Sequence, residues 1–145
     1  MGHPLEIFRY CPHCGADSFV INNFKSKRCK QCGFIYYGNP SASVACFIRT
    51  PEDMILVARR AKDPAKGTLD LPGGFGDENE TAEQAAVREI KEETGLEVTD
   101  IRYLFSLPNI YTYSGMDIRT LDIVFEVRVE SAADVVAADY VADLE

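Results

Sequence analysis

Gly74–Leu96 reads GFGDENETAEQAAVREIKEETGL, and the rest of the chain is read outward from it. Thr81, followed three residues later by Gln84, has the form of a capping box, in which each side chain satisfies the other's backbone amide. Ala82, Ala85, Ala86, Val87 and Ile90 then carry a helix, and Gly95 suits the left-handed residue that ends it. Glu89, Glu92 and Glu93 are three and four residues apart and share one face; Val87, Ile90 and Thr94 point the other way, toward a core. Like charges at this spacing cost about 0.2–0.5 kcal/mol per pair in an isolated helix. Two arrangements relieve that cost. The carboxylates form a solvated acidic face, or a hard divalent cation such as Mg²⁺ gathers them with oxygen ligands.

The spacing also resembles a known family. Gly74, five residues, Glu80, seven residues, then Arg88-Glu89-Ile90-Lys91-Glu92-Glu93-Thr94-Gly95-Leu96 is similar to the Nudix box at all nine of its defined positions, with Leu71-Pro72-Gly73 as its usual entry. The resemblance implies an α+β fold, a Nudix-like α/β/α sandwich with a mixed sheet. It implies a metal-dependent, MutT-like hydrolase that cleaves the diphosphate of a nucleoside diphosphate linked to another group, such as ADP-ribose or a dinucleotide. It carries Glu89, Glu92 and Glu93 over as ligands of Mg²⁺ or Mn²⁺, with the carbonyl of Gly73 or Gly74 as a further ligand. Glu89 or Glu93 is then the general base, and a later acid, Asp122 or Glu126, assists. Arg88 holds one ligand glutamate by charge-assisted hydrogen bonds, and Glu80 pairs with Arg88.

Composition narrows the setting. The 145 residues are 46% hydrophobic with net charge −8, enough for one domain with a real core and a small appendage. There is no run of 18 apolar residues, and the opening MGHPLEIFRY has no apolar signal region. These features point to a cytoplasmic protein with reduced thiols and no membrane partner. Charge is uneven. Residues 1–40 carry five Lys/Arg against two Asp/Glu, and residues 41–145 carry ten against twenty-one. An acidic domain that handles a phosphate substrate needs bound cations, and its charge argues against nucleic acid as a partner.

Cys11-Pro-His-Cys14-Gly15 and Cys29-Lys-Gln-Cys32-Gly33 are two CxxC pairs with fourteen residues between them. Four thiolates close a tetrahedral structural Zn²⁺ site and leave no position open for chemistry. The other readings are chance thiol pairs or redox-active motifs. His3 and His13 stand outside a complete four-sulfur shell. Phe19-Val20-Ile21, a turn at Asn22-Asn23 and a returning strand Phe34–Tyr37 complete an arrangement similar to a zinc ribbon, too small to fold without metal. Lys25, Lys27, Arg28 and Lys30 cluster here, either as a solvated hairpin or as a nucleic-acid surface. Four thiolates with one Zn²⁺ contribute about −2, which offsets much of that basic charge. The organisation is then a ribbon over 1–38 and a hydrolase domain over 39–145.

Beyond Gly38-Asn39-Pro40-Ser41, Ser43–Ile48 and Met54–Ala58 read as two buried strands joined by a loop at Arg49–Asp53, with Cys46 in the core. Arg59, Arg60 and Lys62 follow and either touch substrate phosphate or pair on the surface. Asp63–Thr68 is a loop. Ile101–Leu107 and Arg119–Val129 are later strands; in the second, Leu121, Ile123, Phe125 and Val127 face one way and Asp122, Glu126 and Arg128 the other.

Ser106–Ser114 lies between those strands. Zinc-ribbon Nudix enzymes that cleave NADH have a serine-glutamine-proline-tryptophan-proline-phenylalanine-proline motif after the box, and Ser106, Pro108 and Ser114 are loosely similar to it. The tryptophan and two of the prolines have no counterpart. Cleavage of NADH or of NAD-capped RNA is therefore the alternative activity. A nucleotide-sugar-sensing binding module is the non-enzymatic one, disfavoured by a complete box. Tyr111 and Tyr113 either stack on a substrate base or pack on the sheet. Fifteen residues follow Glu130, fewer than the last strand and helix that this family usually adds. That leaves a sheet face for a homodimer to cover.

Overall fold

The computed structural model describes residues 2–60, 67–131 and 141–144, the last four as backbone alone. It divides into two compact units, one of residues 1–40 with 110–119, the other of 41–109 with 120–145.

In the first unit, β1 (Phe19–Asn23), β2 (Ser26–Cys29) and β3 (Ile35–Tyr37) form an antiparallel sheet. The expected turn at Asn22-Asn23 falls two residues later. Asn23 stays in β1, and its side-chain oxygen accepts from the Lys25 amide at 3.1 Å and the Ser26 hydroxyl at 2.7 Å. Asparagine oxygens commonly close a turn by bonding two residues onward, which moves the reversal to Phe24-Lys25. Cys11, Phe19 and Cys29 are the buried centre, with Phe8, Ala16 and Phe34 packed around them.

β4 (Ser41–Arg49), β5 (Ile55–Leu56), β8 (Gly73–Phe75), β9 (Val98–Tyr113) and β10 (Met116–Val129) make one mixed sheet, which belongs to the second unit except for residues 110–119 of the β9–β10 hairpin. β4 and β10 are parallel, with Val44 opposite Ile123, Cys46 opposite Phe125 and Ile48 opposite Val127. This register puts all six on one face, where Ala85, Ala86 and Ile90 of α1 (Ala82–Thr94) cover them. Phe125, Ile48, Ile90 and Val127 are the largest wholly buried side chains. Each contributes about 1.5–3 kcal/mol by leaving water, so Phe125→Ala removes a keystone of the unit. Val87 is not among the buried residues; the helix rotates so that Ala86 and Ile90, four apart, meet the sheet. Leu121, which alternation puts on the same face as Ile123, Phe125 and Val127, is exposed.

Met54–Ala58 is not one strand. β5 ends at Leu56 and β6 (Ala58–Arg60) begins a second sheet, in the order β11 (Val141–Leu144), β6, β7 (Leu69–Asp70). Lys62 and residues 63–66 of the expected loop lie outside the described residues, as do 132–140 of the C-terminal segment. A helical layer on the other sheet face is not seen among the described residues. The largest difference is at Ser106–Ser114. Instead of separating two strands, it completes the sixteen-residue β9, and the reversal is at Ser114-Gly115, with φ of 52° and 72°. Two successive positive φ values make the two-residue hairpin turn whose twist matches its strands. Pro108 is tolerated because β9 is an edge strand, where a missing N–H breaks no ladder.

Candidate active site

The box folds as strand, loop and helix. Thr81 caps α1: its hydroxyl accepts from the Gln84 amide at 3.1 Å, and the Gln84 side chain accepts from the Thr81 amide at 2.8 Å. Gly95 ends the helix at φ 76°, its amide on the Lys91 carbonyl. Buried Thr94 donates to the Ile90 carbonyl and accepts from the Leu96 amide, so the helix end buries no unpaired hydroxyl.

Two adjacent glycines seat this helix on the sheet for different reasons. A Cβ on Gly73 would stand 2.0 Å from the Val44 carbonyl oxygen, so only glycine lets β8 lie this close to β4. A Cβ on Gly74 would stand 2.7 Å from the Glu89 carboxylate. The helix answers at Glu93, whose carboxylate accepts the Gly73 amide at 3.1 Å. Glu89 and Glu93, one turn apart, are thus both held at the glycine pair. Glu92 is at the outer side, its side chain about half exposed.

Arg88 organises the carboxylates. Its guanidinium forks onto Glu80, Nη2 at 2.6 Å and Nε at 3.1 Å, donates from Nη1 to Glu89 at 2.8 Å and to Glu92 at 3.2 Å, and reaches the Phe75 carbonyl at 3.0 Å. Asp77 adds an exposed contact at 3.2 Å. The pairing with Glu80 raises the Arg88 pKa further and, with the Asp77 amide, holds the Glu80 carboxyl below its ordinary range. A planar fork suits this multiple pairing and an ammonium does not. Asp77 and the Phe75 carbonyl were not singled out in the sequence. Nothing in the spacing marks them, because they meet Arg88 only after the loop folds back.

The other candidate residues are placed as follows. Arg59 donates to the Gly67 carbonyl at 2.7 Å, and Arg60 pairs with Asp70 at 3.5 Å. Asp122 is buried and accepts from Thr120 at 2.7 Å and Asn109 at 3.0 Å. Glu126 joins Arg49 at 2.9 Å and Arg102 at 3.2 Å, an ion pair on the sheet. Tyr111 and Tyr113, both exposed, belong to the other compact unit. Cys46 is fully buried at the core, and burial pushes its thiol up to about 12.

The four ribbon cysteines form a separate site. Their sulfurs all lie within 4.8 Å of one another. Cys11 and Cys32 sulfurs are 3.7 Å apart, and Cys14 and Cys29 sulfurs 3.6 Å. A tetrahedral Zn²⁺ with bonds of about 2.3 Å needs sulfurs about 3.8 Å apart, so the cage has the right size for zinc. Gly15 and Gly33 have φ of 78° and 80°, directly after each pair. Amides of His13 and Cys14 point at the Cys11 sulfur, and that of Cys32 at Cys29. The Cys32 amide, then the Ser18 hydroxyl, draw the Cys29 thiol down to about 6. His13 instead stacks on Phe34, and His3 is bonded to Asn23 and Leu5. Among the described residues, the glutamates of α1 are not gathered as these sulfurs are.

Comparison with known proteins extends this picture. A family model described as the NUDIX domain matches residues 39–145. The NAD-capped RNA hydrolase NudC of Vibrio vulnificus is 34% identical over 115 residues, covering 79% of this chain and 43% of that protein, so the chain spans about half the length of the curated relatives it matches. A NUDIX hydrolase from Nitrosomonas europaea superposes with a TM-score of 0.73 at 23% identity, over 95% of this chain and 76% of that one. A bifunctional NMN adenylyltransferase/ADP ribose pyrophosphatase from Francisella tularensis, solved with AMP and a manganese ion, superposes at 0.56 with 25% identity, over 75% of this chain and 34% of its own. No described helix is long and apolar enough to cross a membrane. From the family match over residues 39–145, and from the box geometry that it accompanies, the chain belongs to the NUDIX domain family.

Proposed function

We propose that this chain is a metal-dependent hydrolase that cleaves the diphosphate of a nucleoside diphosphate linked to a second group, with ADP-ribose or a dinucleotide as substrate. The observation that carries the reading is the seating of Glu89 and Glu93 against Gly73 and Gly74, with Arg88 bracing the carboxylates from behind. The donors fit Mg²⁺ or Mn²⁺: Glu89, Glu92, Glu93 and the Gly73 carbonyl are hard oxygens, and glycine at 74 leaves room beside Glu89. When bound, such a cation neutralises charge on the diphosphate and makes a water more acidic. The chain's own residues do the rest. Glu89 or Glu93 takes a proton from the attacking water, whose oxygen joins one phosphorus as the bridging P–O bond breaks. Arg88 keeps the glutamates in one array by lending them a shared positive partner.

The NADH or NAD-cap variant of this activity is favoured by the Vibrio vulnificus relative, whose name states NAD-capped RNA. In the same reading residues 1–38 are a ribbon held by structural Zn²⁺ on Cys11, Cys14, Cys29 and Cys32, and 39–145 the hydrolase domain. A cytoplasmic setting keeps those thiols reduced. A homodimer covers Tyr103, Phe105 and Leu107, exposed on β9; sedimentation as a monomer removes that part. The test of activity is a Mg²⁺-dependent screen of ADP-ribose, NADH and diadenosine polyphosphates, with products resolved by chromatography in ¹⁸O-water. Release of AMP with label on one phosphate is the expected result, and no cleavage of any of the three contradicts the proposal.

A further inference from the structure

The ribbon sheet carries cations without a carboxylate partner. Lys25 and Arg28 have no carboxylate partner among the described residues, although the chain has 23 acids against 15 Lys and Arg. Arg9, Arg49, Arg60, Arg88, Lys91 and Arg102 are all ion-paired. Lys27 differs from its neighbours too: it is buried, with its ammonium on the Phe8 carbonyl at 2.7 Å.

Strand register sets Arg28 between exposed aliphatic side chains, and the β1–β2 turn sets Lys25 beside exposed rings. Arg28 is opposite Val20 on one side and Ile35 on the other, and Ser26, two residues earlier on β2, is opposite Tyr37. With a side-chain period of two, Val20, Arg28, Ile35 and Tyr37 share one face, while Cys29 and Lys27 are on the other. At the β1–β2 turn, the Lys25 ammonium is 5.9 Å from the Phe24 ring and 5.8 Å from the Tyr37 ring. Phe24 is 82% exposed and Tyr37 44%. The strand residues of this face include no acid; Arg28 is between Val20 and Ile35, and Lys25 at the turn is beside two rings.

From this face we infer that the ribbon binds the single-stranded RNA chain of a capped substrate, with bases on Phe24 and Tyr37 and phosphates on Lys25 and Arg28. The inference rests on the diphosphohydrolase reading and names the second group in one class of its substrates. Cations without a carboxylate partner beside exposed rings are what a single strand needs, because every base offers a stacking face and every linkage an anion. A duplex hides its base faces and fits less well. The net charge of −8 repels a polyanion overall, so attraction has to be local. This goes against the expectation drawn from overall charge and takes up, for Lys25 and Arg28, the nucleic-acid surface that the basic cluster left open, because the whole-chain charge does not report the acid-free face.

The test is fluorescence anisotropy of a 3′-labelled single-stranded 12-nucleotide RNA with the zinc-loaded full chain and no Mg²⁺, so that binding is read without turnover. Lys25→Gln with Arg28→Gln is expected to weaken binding about tenfold and to flatten the log K against log salt slope by about 1.4, the loss of two phosphate contacts. Phe24→Leu with Tyr37→Leu is expected to weaken it at least about fivefold. Lys25→Arg restores binding, and ADP-ribose hydrolysis is unchanged in all of these variants. Wild-type affinity in either double variant, or equal wild-type affinity for an abasic strand of the same length, overturns the inference. ADP-ribose cleavage without RNA binding sinks this inference alone; RNA binding without any diphosphate cleavage sinks only the hydrolase reading.

Discussion

Replacing Gly73 and Gly74 one at a time by alanine separates folding from catalysis at neighbouring positions. At Gly73 the new methyl carbon is 2.0 Å from the Val44 carbonyl oxygen and 2.9 Å from the Ala45 Cα, both backbone atoms in a paired strand. Reaching ordinary contact means a shift of about 1.4 Å, which no rotamer can absorb, so β8 must leave β4. The expected cost is that of overpacking plus lost ladder bonds, about 2–4 kcal/mol. At Gly74 the obstacle is the end of a side chain. The Glu89 carboxylate must retreat by about 0.7 Å from its 2.7 Å approach, a shift that side-chain torsions can supply. Gly74→Ala should therefore cost under about 1.5 kcal/mol in stability, yet a displaced catalytic group commonly loses on the order of 10²-fold in rate. Urea unfolding followed by circular dichroism, together with kcat for diphosphate cleavage, measures both effects. Gly74→Ala with full activity, or Gly73→Ala with unchanged stability, would refute the reasoning.

Two further outcomes follow from groups away from the catalytic face. Arg49, hydrogen-bonded to Glu126, holds that carboxyl below its ordinary 4.5. A depressed folded-state pKa gives stability that is full above the unfolded value and is lost as pH falls through the folded one, so Glu126→Gln should destabilise at pH 7 and the difference should fade as the carboxyl protonates in acid; a gap that persists once Glu126 is protonated contradicts this. Atomic absorption should find about one zinc per chain. Cys29→Ala should abolish it and broaden the amide resonances of β1–β3 while those of the core around Phe125 persist; full zinc content in that variant contradicts the four-sulfur cage.

What the sequence showed depended on how local the physics was. The ends of α1 were legible because Thr81, Gln84 and Gly95 act within four residues of themselves. The four-sulfur cage was legible for the same reason, since each CxxC pair closes its own turn. The pairing of Arg88 with Glu80 was visible only through the family pattern, as eight residues separate them, and Asp77 and the Phe75 carbonyl were not visible at all. The extent of β9 was misread because Pro108 and Ser114 look like loop residues, and only the sheet order shows that β9 is an edge that tolerates proline. Ser114-Gly115 was the signal in hand, a pair able to take successive positive φ. Val87 and Ala86 could not be ranked from periodicity, since a rotation of α1 by part of a turn exchanges them.

The most direct measurement of the central claim is turnover of ADP-ribose or NADH with Mg²⁺ by Glu93→Gln, beside wild type and Glu83→Gln, a substitution in the first turn of the helix. Glu93 combines a carboxylate at the glycine pair with an amide contact that glutamine can still accept. The account predicts an unchanged fold and a fall in kcat of on the order of 10³-fold for Glu93→Gln, with Glu83→Gln unaffected. A Glu93→Gln enzyme that keeps wild-type turnover and metal dependence would contradict it.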